Sequence, residues 1–327
     1  MTQIKFDKLS IISGQFFGGR VAFCSTHITF EFFGMENSVF KNCSGVDMGK
    51  VALTKVQKTS TFRKMAMGTW KTAKDPSVYG LVEIDLHPTL EKIKEYEIRH
   101  KVKITPAHLV GCAVAKCMTS RPEINGMIRF GRLYQRDHVA LFYQVNIPGS
   151  GHDRIKKANL AGAVLHNAEN MSLAQIAQEL ARKSELVKTD KDEEIKKGMN
   201  TVKFIPWQLM GPYLDLVSFL LYGLNLDLSF LGIPKDPFGS VMITNVGGMG
   251  IDIAWAPLCP YTRVPLLITV GAIAQKPWVV DGEVKVRPIL PLGITLDHRF
   301  IDGVHASQMA KEFKEFFAHP EKYFFNH

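Results

Sequence analysis

From about Lys50 onward the chain switches repeatedly between two hydrophobic rhythms. Alternating or unbroken apolar runs at 78–85, 139–147, 240–246, 264–270 and 292–296 predict β-strands, and helical spacing predicts helices between them. One helix lies near 90–100. A second starts at Thr105, a good N-cap, with Pro106 in the first helical position, and carries Val110, Val114 and Met118 before stopping ahead of Pro122. Ser172 and Gln175 form a capping box that opens a third helix with Leu173, Ile176 and Leu180 on one face. Short strands at 279–280 and 283–286 flank Asp281-Gly282, a strong hairpin signal. A closing helix, 304–317, sets Met309, Phe313 and Phe316 on its core face. Strands and helices that alternate in this way predict an α/β protein with a mixed β-sheet flanked by helices.

The first 47 residues follow neither rhythm. They are rich in Phe and Gly, with one or two strands predicted inside 21–33, and are read as an N-terminal extension of unknown role. Met35 and Met48 are alternative starts, so this stretch is also a candidate non-native addition; the domain proper is taken as 48–327. An apolar stretch, 204–234, contains Trp207, Leu214, Phe219, Leu221 and Phe230. Asp215, Asn225 and Asp227 interrupt it and prolines flank it, which disfavours a membrane span. Burial against a neighbouring subunit or around a substrate channel is the expectation, ahead of membrane-surface contact.

Composition narrows the classes. With 327 residues, 46% hydrophobic and 22% charged, the chain supports a large packed core. The net charge of +9 favours anionic partners, yet the lysines are dispersed and no nucleic-acid-binding motif is present, so a phosphate-bearing small molecule suits the charge. Five scattered cysteines suit neither a disulfide framework nor a zinc site and are expected to be reduced. Asp7 and its polar neighbours interrupt any signal-peptide core, so a cytoplasmic protein is expected.

The chemistry gathers in Asp297-His298-Arg299-Phe300-Ile301-Asp302-Gly303, directly after an apolar strand. Imidazole is the side chain whose ordinary pKa lies near neutrality, which makes His298 a candidate general base. Asp297 and Arg299 are expected to fix the turn through salt bridges. His152 and His305 have no partner visible in the sequence and are not expected to act in catalysis. The Gly247-Gly248-Met249-Gly250 run lacks the Lys-Ser or Lys-Thr that a phosphate loop requires.

Taken in order, 61–64, 79–85, 103–105 through 121–125, 242–247 and 297–303 resemble the catalytic domain of the 2-oxo acid dehydrogenase acyltransferases, the dihydrolipoamide acyltransferases. That family shares the chloramphenicol acetyltransferase fold. The resemblance implies a trimer, or a multiple of trimers, with active sites between adjacent subunits. It implies His298 as the base that deprotonates a thiol, Thr244 as the hydroxyl that stabilises a tetrahedral oxyanion, and Asp302 as a structural carboxylate paired with an arginine, for which Arg63 is the candidate. It further implies coenzyme A, as acyl-CoA, for a substrate and dihydrolipoamide for the second thiol, with no metal.

Two features depart from the pattern. The residues ahead of 48 are too few for a lipoyl or subunit-binding module, so no lipoate is expected on this chain, and a separate lipoylated or pantetheine-bearing protein, or free acyl-CoA, is expected to supply acyl groups. The segment 148–154 replaces the family's substrate-facing sequence. Two other functions compete: a noncatalytic oligomeric core, and an antibiotic O-acetyltransferase on the same fold.

Overall fold

The computed structural model describes residues 20–24, 27–31, 75–147, 159–188 and 205–325. The chain divides into two units, 1–73 and 74–327. In the first, β1 (Arg20–Cys24) pairs antiparallel with β2 (His27–Glu31), in line with the one or two strands expected there.

The second unit is built on a seven-stranded sheet. Its strands are β3 (Ser77–Asp85), β6 (Leu141–Ile147), β7 (Asn159–Leu165), β8 (Val241–Asn245), β9 (Leu266–Val270), β10 (Ala274–Val280) and β11 (Glu283–Asp297). A separate hairpin joins β4 (Gly126–Arg129) to β5 (Arg132–Gln135). The central strands β6, β8 and β9 run parallel, and the remaining pairings are antiparallel, so the sheet is mixed.

The expected short strands at 283–286 and 292–296 are one continuous strand, β11. Pro288 and Pro291 look like breakers in the sequence. In an antiparallel ladder a residue's N–H and C=O point to the same neighbour. The Pro288 carbonyl accepts from Leu86 just past the end of β3, and the Pro291 carbonyl accepts from Gly271 in the break between β9 and β10. Both prolines therefore face places where no ladder donor is required.

Helices α1 (His87–His100), α2 (Pro106–Ser120), α3 (Leu173–Lys188) and α5 (Gly303–Ala318) pack with the sheet around a single core, and α4 (Trp207–Ser218) lies apart from them. Helix α2 is buried along almost its whole length, and Cys112 and Cys117 are free thiols inside it. Burial pushes the Cys112 thiol up to about 11, which keeps it protonated. Thr105 caps α2 as expected, and its partner in a capping box is His108 three residues on, whose Nδ1 accepts the Thr105 N–H at 3.1 Å. Burial lowers the His108 pKa to about 4, so the ring is neutral and free to accept.

On the face bearing Thr269, Gly293 and Thr295, an irregular segment at 251–259 crosses the sheet. Thr269 donates to the Ala254 carbonyl, and Thr295 donates to the Ala256 carbonyl at 2.8 Å. Trp255 Nε1 donates to the Gly80 carbonyl at 2.7 Å. This close crossing requires Gly293, where an added Cβ would lie 2.1 Å from the Ala254 carbonyl oxygen.

Candidate active site

His298 stands in the turn that closes β11, with its residue exposed to solvent. The backbone fixes its position: the His298 N–H donates to the Pro76 carbonyl, and the Asp297 N–H to the Pro265 carbonyl, both at 2.9 Å. Buried Asp297 accepts the Arg299 backbone N–H at 3.0 Å and its guanidinium at 3.0 and 2.7 Å. The two residues flanking His298 thus clamp each other, as expected, and the turn is set without using the imidazole.

Asp302 is the N-cap of α5. Its Oδ1 accepts the Val304 and His305 backbone N–H groups at 2.9 and 3.0 Å. The His305 N–H leads the interactions that hold the Asp302 carboxyl below its usual range, with smaller help from the His305 and His298 rings and the Val304 N–H. His305 has a partner the sequence did not reveal: its Nδ1 accepts the Asp302 backbone N–H at 3.3 Å, completing a capping box. Among the described residues no arginine pairs with Asp302; Arg63 lies outside them, as do His152 and the 148–154 segment.

Thr244 is half-buried on β8, next to the strand's last residue, Asn245. The chain then turns tightly through 247–249, where the Asn245 side-chain oxygen accepts the Gly248 N–H at 3.2 Å. An added Cβ at Gly247 would lie 2.3 Å from the Gly271 carbonyl oxygen, so only glycine lets this turn press against the neighbouring loop. The 242–247 motif included Asn245 without its turn-closing role; the Asn-x-x-Gly spacing was the signal for it.

Register separates the two proposed reacting groups. Thr244 is opposite Thr269, and Thr269 is opposite Gly293. His298 lies five residues further along β11 than Gly293. At ~3.3 Å per residue and ~4.8 Å between strands, the Thr244 and His298 α-carbons stand roughly 19 Å apart, beyond the combined reach of the side chains. They do not meet within one chain.

A shallow, open cleft of about 530 Å³ lies over the middle of β3, lined by Tyr79, Gly80, Leu81, Trp255 and Pro257. Tyr79 is opposite Thr295, three positions before His298. Nothing in the sequence marked Trp255 for this wall. Among the described residues, no group of three or more His, Cys, Asp or Glu is arranged to hold a metal ion, and no helix is long and apolar enough to cross a membrane.

Residues 50–203 and 238–325 match the family model described as 2-oxoacid dehydrogenases acyltransferase (catalytic domain). The dihydrolipoyllysine-residue acetyltransferase component of the pyruvate dehydrogenase complex of Mycoplasma capricolum is 23% identical over 72% of this chain and 43% of its own length. The dihydrolipoyllysine-residue succinyltransferase component of the 2-oxoglutarate dehydrogenase complex of Buchnera aphidicola is 25% identical over 68% of this chain and 44% of its own. The chain therefore spans less than half the length of these two relatives. Among solved structures, the Azotobacter vinelandii dihydrolipoamide acetyltransferase superposes with a TM-score of 0.55 at 18% identity, covering 85% of this chain and 96% of that one. At that identity the likeness concerns the fold, a mixed sheet flanked by helices. With most of its length matched by the family model, the chain belongs to the 2-oxoacid dehydrogenase acyltransferases, in their catalytic domain.

Proposed function

We propose that this chain transfers an acyl group between coenzyme A and a second thiol of the dihydrolipoamide type, at a site shared by two copies. One copy contributes His298 and its neighbour contributes Thr244. The observation that carries this reading is the separation of the two residues to opposite ends of one sheet, inside a chain whose family match includes both. A trimer, or a multiple of trimers, supplies such pairings around a closed ring.

The His298 imidazole takes the proton of the incoming thiol. A thiol of ordinary pKa facing an ordinary imidazole requires about 3 kcal/mol for that transfer, small beside an acyl-transfer barrier. The thiolate attacks the thioester carbonyl carbon, and the carbonyl electrons move onto oxygen. The Thr244 hydroxyl donates to that oxyanion, an interaction worth on the order of 3 kcal/mol in the transition state. Collapse breaks the old carbon–sulfur bond, and the imidazolium returns its proton to the departing thiolate. Asp302 and the Asp297–Arg299 clamp are positioning residues for the turn that carries His298. The net charge of +9 suits the phosphates of coenzyme A. A separate lipoylated or pantetheine-bearing protein is the matching acyl donor or acceptor.

The test is a screen of acyl-CoA donors against dihydrolipoamide and other thiols. Turnover with at least one pair, reduced a hundredfold or more in His298→Ala, is the expected result. An unreduced rate in that variant overturns the mechanism, and silence with every donor favours the noncatalytic oligomeric core.

A further inference from the structure

The family match stops at 203 and resumes at 238, so the stretch between them lies outside the matched pattern. It is firmly docked along one side. Leu221, Tyr222 and Leu228 are buried together against Met127 of β4 and Phe238. Arg129 Nε donates to the Gly223 carbonyl at 2.7 Å, Arg263 Nε to the Ser218 hydroxyl at 3.2 Å, and Arg136 pairs with Asp236. A segment tied down by three arginines is a built surface.

Its outer side is apolar. Leu209, Leu216 and Phe219 fall on one stripe of α4 and its continuation, and are 56%, 55% and 42% exposed. The stripe runs on into the β4–β5 hairpin through Phe130, which is 63% exposed and stacks edge-on with Phe219 at 6.2 Å between ring centres. These four side chains leave on the order of 400 Å² of apolar surface in water, the size at which an exposed patch marks an interaction site.

Charge selects the occupant. Helix α4 carries Asp215 and no basic residue, whereas the hairpin from 126 to 135 carries Arg129 and Arg132 and no acidic one. Among the described residues, Asp215 and Arg132 have no ion-pair partner. A surface with one acidic and one basic edge is complementary to itself when turned through a two-fold axis. An interfacial membrane helix instead sets Lys and Arg along its polar edge, where anionic headgroups would repel Asp215.

We propose that the 205–237 segment and the β4–β5 hairpin form a self-association face, through which two copies of this chain pair about a two-fold axis. This contact is additional to the one that completes the acyl-transfer site, and its test needs no substrate. Sedimentation of the full chain is expected to give a particle whose mass falls at least twofold in Leu216→Glu/Phe219→Glu. Single Leu209→Cys, Leu216→Cys and Phe219→Cys variants, mild enough to spare the fold, are expected to give a covalent dimer on oxidation in at least one case, against an unlinked wild type. Three results overturn the proposal: an unchanged mass in the double variant, no new cross-link in any cysteine variant, or wild-type protein that stays unpaired and instead pellets with phosphatidylglycerol vesicles.

Discussion

The two ends of the central sheet are built in opposite ways. At the Thr244 end the chain leaves β8 through a turn packed so closely that a single methyl at Gly247 would strike the Gly271 carbonyl. At the His298 end the turn is open to solvent, and its shape comes from the Asp297–Arg299 pair and the Asp302 cap. One end fixes its turn by close packing, and the other fixes its turn by hydrogen bonds. The contrast suits the two jobs proposed for them. An oxyanion donor must be in place before charge develops, whereas a base must swing a proton between two sulfurs.

The largest effect tests the exposed end. His298→Ala is expected to lower kcat by a hundredfold or more with an unchanged melting curve, because the turn does not use the ring. At the packed end, Thr244→Val keeps the shape and removes the hydroxyl, and should lower kcat about a hundredfold with little change in KM. Co-expressing His298→Ala with Thr244→Val tests whether the ends work across copies. Random mixing leaves about a quarter of the pairings with both native groups, so assemblies of two inactive chains should recover roughly that share of activity. No recovery would confine the site to one chain.

Gly247→Ala sharpens the comparison through stability. The clash is with backbone, which cannot yield cheaply, so a loss of about 1–3 kcal/mol in denaturant titration is expected. The smallest effect belongs to the open end. The Asp302 carboxyl is held below its usual range, so the stability it lends the start of α5 is present above the ordinary Asp pKa and is lost as pH falls through the lowered value. Protection of the first-turn amides of α5, taken relative to their intrinsic exchange rates, should fall only in acid, and Asp302→Ala should show the low protection at every pH.

The exposed end was the legible one. An apolar run closed by Asp297-His298-Arg299, with a capping residue at 302, is written in consecutive residues, and the strand, turn and helix follow from local rules. β11 was read in pieces because a proline's missing donor matters only relative to its neighbour, and the sequence does not say that Pro288 and Pro291 face gaps. The β4–β5 hairpin was missed because its turn is Phe130-Gly131, both at positive φ, without the Asn-Gly or Asp-Gly that usually announces one. Thr244 was placed by the family resemblance alone, since one threonine in a strand carries no local mark. The 204–234 stretch was read as buried against a neighbouring subunit or around a substrate channel, but the sequence could not separate the face that packs on the β4 hairpin from the face that stays in water.

The distance between Thr244 and His298 also bears on the life of the chain before assembly. On the division of roles proposed above, a newly synthesised copy, alone in the cell, would hold a base with no oxyanion donor at one end and a donor with no base at the other. Such a copy would be inert toward acyl thioesters, and water would gain no catalysed route to them until copies have met. Dilution below the association threshold should silence the protein without unfolding it.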